Sequence, residues 1–140
     1  MSKVRLEVLR KHLTDRCREV KPDITMSGNP LTTHVLDTAR GSPAANLELT
    51  VSIKGQNGQW TDLITSSTNS DGRVPRLLTQ DQFVPGTYKI NFNTGGYFQQ
   101  LGVEGFYPYV EVVFEIRDPQ QHYHVPLLLS PYGYSTYRGS

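Results

Sequence analysis

The chain has 140 residues, 36% of them hydrophobic and 19% charged, with 14 Lys and Arg against 13 Asp and Glu. That length and balance fit one folded domain with a single core and exclude a disordered chain. A net charge of +1 gives no footprint for nucleic acid, no run of about 18 apolar residues marks a membrane span, and the lone Cys17 excludes an internal disulfide framework.

The charge is unevenly placed. Residues 1–29 hold seven Lys and Arg against four Asp and Glu, a net +3, and no aromatic residue. Leu6, Leu9 and Leu13 recur at helical spacing among Arg5, Arg10, Lys11 and His12, which predicts a short amphipathic helix. Lys21 to Asn29 has the Pro, Gly and polar character of a linker. No apolar stretch follows the positive residues, so this leader is not a secretory signal. Arg5-Leu6, five residues, then His12-Leu13 resembles the peroxisomal type 2 targeting signal. The resemblance implies that a soluble import receptor reads residues 5–13 and that the protein is peroxisomal, the helix lying in a receptor groove. Cys17 is read as an inert thiol.

From residue 30 onward a period of two dominates. In Leu47-Glu48-Leu49-Thr50-Val51-Ser52-Ile53 the odd positions are apolar and the even ones polar, the pattern of a half-buried strand. Gly55 to Gly58 makes a turn, and Trp60 to Thr65 is the predicted partner strand. Asn69-Ser70-Asp71-Gly72 is a second tight turn, with Gly72 at a positive-φ position and Arg73 opening a strand. Thr87 to Asn93, Tyr109 to Ile116 and His122 to Ser130 are further strands. Tyr97, Phe98 and Leu101, bounded by glycines, mark one short helix. Short strands with regular turns predict an all-β sandwich. Val125 to Leu129 is apolar on both faces, which predicts a subunit contact.

Three histidines lie in this core. His122 and His124 are two apart and share a strand face, and His34 alternates with Thr33 and Val35. Three strand histidines raise the question of an open zinc site, but no carboxylate sits at ligand spacing beside them. A metal-free role as general base fits at least as well, since imidazole titrates near neutral pH. Arg73 stands where an arginine is ordinarily a surface charge, and its planar fork also fits a ligand with adjacent carbonyl or imide oxygens. The last nine residues keep three tyrosines and an arginine, where tails are usually bland, so this end is expected to be tied into a site.

These features together resemble one family. The terminal Tyr137-Arg138-Gly139-Ser140 is similar to the signature of the transthyretin-related 5-hydroxyisourate hydrolases of urate breakdown. Pro30 to Asp37, Asn69 to Arg73 and Tyr123 to Pro131 resemble their other motifs, in the expected order over residues 30–140. The resemblance implies a transthyretin-like sandwich of two four-stranded sheets with one short helix, assembled as a homotetramer with sites in the channel between dimers. It implies opening of 5-hydroxyisourate at its N1–C6 amide bond, to 2-oxo-4-hydroxy-4-carboxy-5-ureidoimidazoline, with no cofactor. Carried over by position, the site contains His34, Arg73 and His124 as catalytic groups. His34, Arg73, Tyr137, Arg138, Gly139 and Ser140 bind substrate, and His122 is left structural. The alternative is a non-catalytic carrier of thyroid hormone, as transthyretin is, but that resemblance lacks the His and Arg set and the Tyr-Arg-Gly-Ser end.

Overall fold

The computed structural model describes residues 29–139. The predicted leader helix, the targeting-like residues 5–13, Cys17 and Ser140 lie outside the described residues.

Eight strands make two four-stranded sheets. In chain order they are β1 (Leu31–Asp37), β2 (Ser42–Pro43), β3 (Glu48–Lys54), β4 (Trp60–Ser67), β5 (Gly86–Phe92), β6 (Val110–Ile116), β7 (Tyr123–Ser130) and β8 (Gly133–Thr136). One sheet has the order β2-β1-β7-β8, the other β4-β3-β5-β6. All pairings are antiparallel except that of β1 with β7.

Alternation does in the structure what it implies in the sequence. Leu49 and Val51 of β3 and Tyr88, Ile90 and Phe92 of β5 point inward and are buried. Facing them are Leu31 and Val35 of β1 and Tyr123, Val125, Leu127 and Leu129 of β7, which complete one core. The β3–β4 register shifts between Val51 and Ser52. Ser52 is buried as well, and its hydroxyl is satisfied by donating to Asp62 Oδ1 at 2.7 Å.

The one α-helix among the described residues, α1 (Thr94–Gln100), follows β5 directly. Asn93 caps it, its side chain accepting from the Gly96 amide at 3.1 Å. Gly95 is required by close approach, because a Cβ there would lie 2.5 Å from the Pro108 carbonyl oxygen. The helix is pinned to β1 by the Tyr97 hydroxyl, which donates to Asp37 Oδ2 at 2.8 Å. Burial, reinforced by the Asp37 carboxylate, pushes the Tyr97 phenol up to about 12.

Two sequence expectations need revision. Arg73 does not open a strand; it forms an isolated antiparallel bridge with His34, because the chain leaves the sheet at once toward Pro75. The tail contains a strand, β8, that the sequence reading left out. The apolar run in β7 is buried within the single chain, Leu128 included, so it does not by itself require a subunit contact. β7 lies between β1 and β8 and has no free edge.

Candidate active site

The parallel pairing of β1 with β7 places Thr32 opposite His124 and His34 opposite Pro126. Thr33, Val35 and Asp37 point to the core side, so Thr32 and His34 leave the sheet on its outer face. His34 is 1% exposed and belongs to the sheet rather than to the solvent.

Arg73 reaches His34 through the turn before it. Gly72 has φ +75, and a Cβ there would collide with the Val35 carbonyl oxygen. Only glycine serves both requirements. The Gly72 carbonyl accepts from the Val35 amide at 2.8 Å. The Asn69 side chain accepts from the amides of Asp71 and Arg73, at 2.9 and 3.1 Å, and so holds the turn shut. The turn thus docks on β1 and sets Arg73 across from His34, both side chains leaving on the same side.

The other flank is closed by the tail. The Thr136 hydroxyl donates to the Pro126 carbonyl at 2.7 Å, and the Gly139 amide donates to the His124 carbonyl at 2.8 Å. Gly139 therefore bridges His124, and a Cβ on it would lie 2.7 Å from the His124 ring carbon Cδ2. The glycine of the terminal tetrapeptide is there because the chain passes against that imidazole. Arg138 turns the other way. Its guanidinium lies 4.4 Å from the centroid of the Tyr123 ring and donates to Gln121 Oε1 at 2.9 Å.

His34 with Arg73, and His124 with the tail backbone, therefore occupy two adjacent rows on the outer face. Four segments supply them: β1, the Gly72 turn, β7 and the tail. A further member is Thr32, whose hydroxyl lies 2.8 Å from His124 Nδ1 and 3.2 Å from His122 Nε2. Sequence reasoning passed over it. The available signal was its place two residues before His34, on the same strand face. His122 is half-buried, and burial followed by the Arg138 charge pulls its pKa below the ordinary histidine value. Among the described residues, no group of three His, Cys, Asp or Glu could hold a metal ion. Chemically, the two rows offer imidazoles for proton transfer next to a guanidinium that can hold carbonyl oxygens or developing negative charge.

Residues 31–139 match the family described as HIUase/Transthyretin. The chain belongs to that family. The 5-hydroxyisourate hydrolase of Mus musculus is 58% identical over 113 residues, covering 80% of this chain and 96% of the mouse protein. The 5-hydroxyisourate hydrolase of Salmonella dublin is 44% identical over 117 residues, covering 84% of this chain and 85% of its own length. Among solved structures, sea bream transthyretin in complex with thyroxine superposes with a TM-score of 0.76 at 37% identity, covering 79% of this chain and 94% of that one. The HIUase/Transthyretin fold is thus the one implied by the motifs, with its two four-stranded sheets and one short helix.

Proposed function

We infer that this chain hydrolyses 5-hydroxyisourate, opening the ring at the N1–C6 amide bond to give 2-oxo-4-hydroxy-4-carboxy-5-ureidoimidazoline. The observation that carries this reading is the placement of His34, Arg73 and His124 on one sheet face. Its support in the family is the high identity to proteins named 5-hydroxyisourate hydrolase, 58% and 44%, against 37% to transthyretin.

The chemistry needs a proton acceptor, an oxyanion partner and a proton donor. His124 takes a proton from water, and the resulting hydroxide adds to C6. Arg73 holds the ring oxygens and stabilises the negative charge that develops on the C6 oxygen. The tetrahedral adduct then breaks its C6–N1 bond, and the departing nitrogen recovers the proton from the imidazolium. His34 positions the ring and shares in proton transfer. Tyr137 and Gly139 complete the pocket, while Arg138 anchors the tail on Tyr123. The rival reading is a hormone carrier with the same fold. An ultraviolet assay tests the reading: freshly generated 5-hydroxyisourate disappears faster with the protein than without it, and an unchanged decay rate overturns the hydrolase.

The proposed assembly is a homotetramer in which two dimers meet over this face. Its support is that β6 and β8 are both edge strands, with unpaired backbone groups available to a second copy. Phe106, Tyr132 and Tyr134 stand exposed beside them, at 67%, 65% and 43%. Sedimentation at micromolar concentration should give four chains per particle; a monomer that retains full activity excludes this assembly as a requirement. The proposed location is the peroxisome, through an import receptor reading residues 5–13. A reporter carrying residues 1–20 should enter peroxisomes, and replacing Arg5 or His12 with Asp should leave it cytosolic. An intact leader that stays cytosolic removes the location and leaves the chemistry untouched.

A further inference from the structure

A single hydroxyl joins two imidazoles on the outer face. Thr32 Oγ1 lies between His124 Nδ1 and His122 Nε2, at 2.8 and 3.2 Å. A hydroxyl has one proton to donate, so it can serve only one of the two rings as donor at a time. Two arrangements follow. In the first, Thr32 donates to His124 Nδ1 and accepts an N–H from His122 Nε2, and neutral His124 carries its proton on Nε2. In the second, His124 donates from Nδ1 to Thr32, Thr32 donates to His122 Nε2, and His124 carries its lone pair on Nε2. Only the second arrangement leaves Nε2 able to accept a proton from water.

We propose that Thr32 and His122 are positioning residues that fix His124 in the Nδ1–H tautomer, with the lone pair on Nε2. This rests on the reading of His124 as the group that activates water. The neighbouring Thr33 cannot substitute, because its hydroxyl donates to the Val125 carbonyl at 2.6 Å on the core side.

The second arrangement follows from the reading of His124 as the base for water, and it requires an uncharged His122. Its Nε2 accepts from Thr32 only while the ring is neutral. The ring is half-buried, and the Arg138 cation on the tail lies close enough to oppose a second positive charge. From β1 and its flank, His34 and Arg73 face the same side of the sheet, and Arg73 adds further positive potential there. A protonated His122 would donate from Nε2, reverse the Thr32 hydroxyl and place the His124 proton on the wrong nitrogen. With His122 neutral, the chain also suits the charged state of the reaction. When His124 takes a proton on Nε2, its Nδ1–H remains on Thr32, and no hydroxyl has to reorient during the transfer.

The direct test is nitrogen NMR on full-length protein labelled with ¹⁵N-histidine, at neutral pH, with ring signals assigned through single-histidine variants. The expected pattern is a protonated Nδ1 and an unprotonated Nε2 on His124, together with an unprotonated Nε2 on His122. A His124 proton on Nε2 overturns the proposal whatever the enzyme's activity. The kinetic arm separates this role from simple packing. Thr32→Val should lower kcat on the order of 10-fold with KM nearly unchanged, and Thr32→Ser should restore it. His122→Gln, whose amide oxygen accepts near the position of Nε2, should keep most of the turnover, while His122→Leu should match Thr32→Val. Equal turnover in the Gln and Leu variants overturns the proposal, and this pair serves even if Thr32→Val fails to fold. A wild-type protein without hydrolase activity would instead sink the functional reading and leave the tautomer measurement standing.

Discussion

The two faces of the β1–β7 pair are built from the same two strands and do different work. On the core side, Leu31, Val35, Tyr123, Val125, Leu127 and Leu129 join one hydrophobic cluster. The polar groups on that side are each satisfied locally: Thr33 by the Val125 carbonyl, Asp37 by Tyr97 and by the amides of Ala39 and Arg40. On the outer side, Thr32, His122 and His124 are satisfied by one another. A buried polar group bonded to fixed backbone is held still, whereas titratable groups bonded to each other can exchange protons. One strand alternation therefore sorts stability to one face and chemistry to the other.

Breaking the outer face should act chiefly on turnover. His124→Ala and Arg73→Ala should each lower kcat/KM by about 10²-fold or more while the melting temperature stays close to wild type. Near-normal rates in either soluble variant would remove that residue from the reaction. Ending the chain at Thr136 should cost most of the activity, since it strips the backbone that passes against His124. Thermal stability should fall by only about 1 kcal/mol, the scale of the Arg138–Tyr123 contact. Gly139→Ala is the milder version: it should displace the imidazole and slow turnover roughly 10-fold, because 1 Å of misplacement is already costly.

Breaking the core face should do the converse. Leu127→Ala should destabilise by about 2–3 kcal/mol in denaturant titrations, with kcat per folded molecule near wild type. If its kcat fell as far as that of His124→Ala, the two faces would not be separable. The smallest effect is expected from Tyr97→Phe, about 1 kcal/mol at neutral pH. Its pH dependence sharpens the point. The phenol is raised by burial from 10.0 to about 12, so its contribution is complete below pH 10 and fades as pH rises through 12. Stability of the wild type should decline over that range, and the decline should be shallower in Tyr97→Phe.

Much of this was legible in the chain. The Leu47–Ile53 alternation corresponds to β3 at Glu48–Lys54, and Thr87–Asn93 to β5 at Gly86–Phe92. The glycine-bounded Tyr97 and Phe98 lie in α1. Local period and turn chemistry are enough for such elements, because each is decided within a few residues. β2, with two residues, and β8, with four, are too short to establish a period. The bridge between Arg73 and His34 was also out of reach, since it depends on where the turn docks and not on Arg73 or its neighbours. The same holds for Thr32: its role arises from a register of β1 against β7 that neither strand encodes alone. The motifs located His34, Arg73 and His124, and the structure added how they meet.

The parallel pairing of β1 with β7 has a consequence in time. Thr32 and His124 are 92 positions apart, so the first strand of the sandwich waits for almost the last one. Closing a loop of that length costs roughly 4 kcal/mol of chain entropy before any contact compensates. Topologies ruled by such distant pairings fold over milliseconds to seconds. On a ribosome adding about 5–20 residues per second, β1 emerges roughly 5–20 seconds before its partner. Throughout that interval β1 lacks the strand it pairs with in parallel, and a chaperone that binds short apolar strands has its opening there. The bridge of Arg73 to His34 needs only β1 and the Gly72 turn, whereas His124 joins them when β7 pairs with β1.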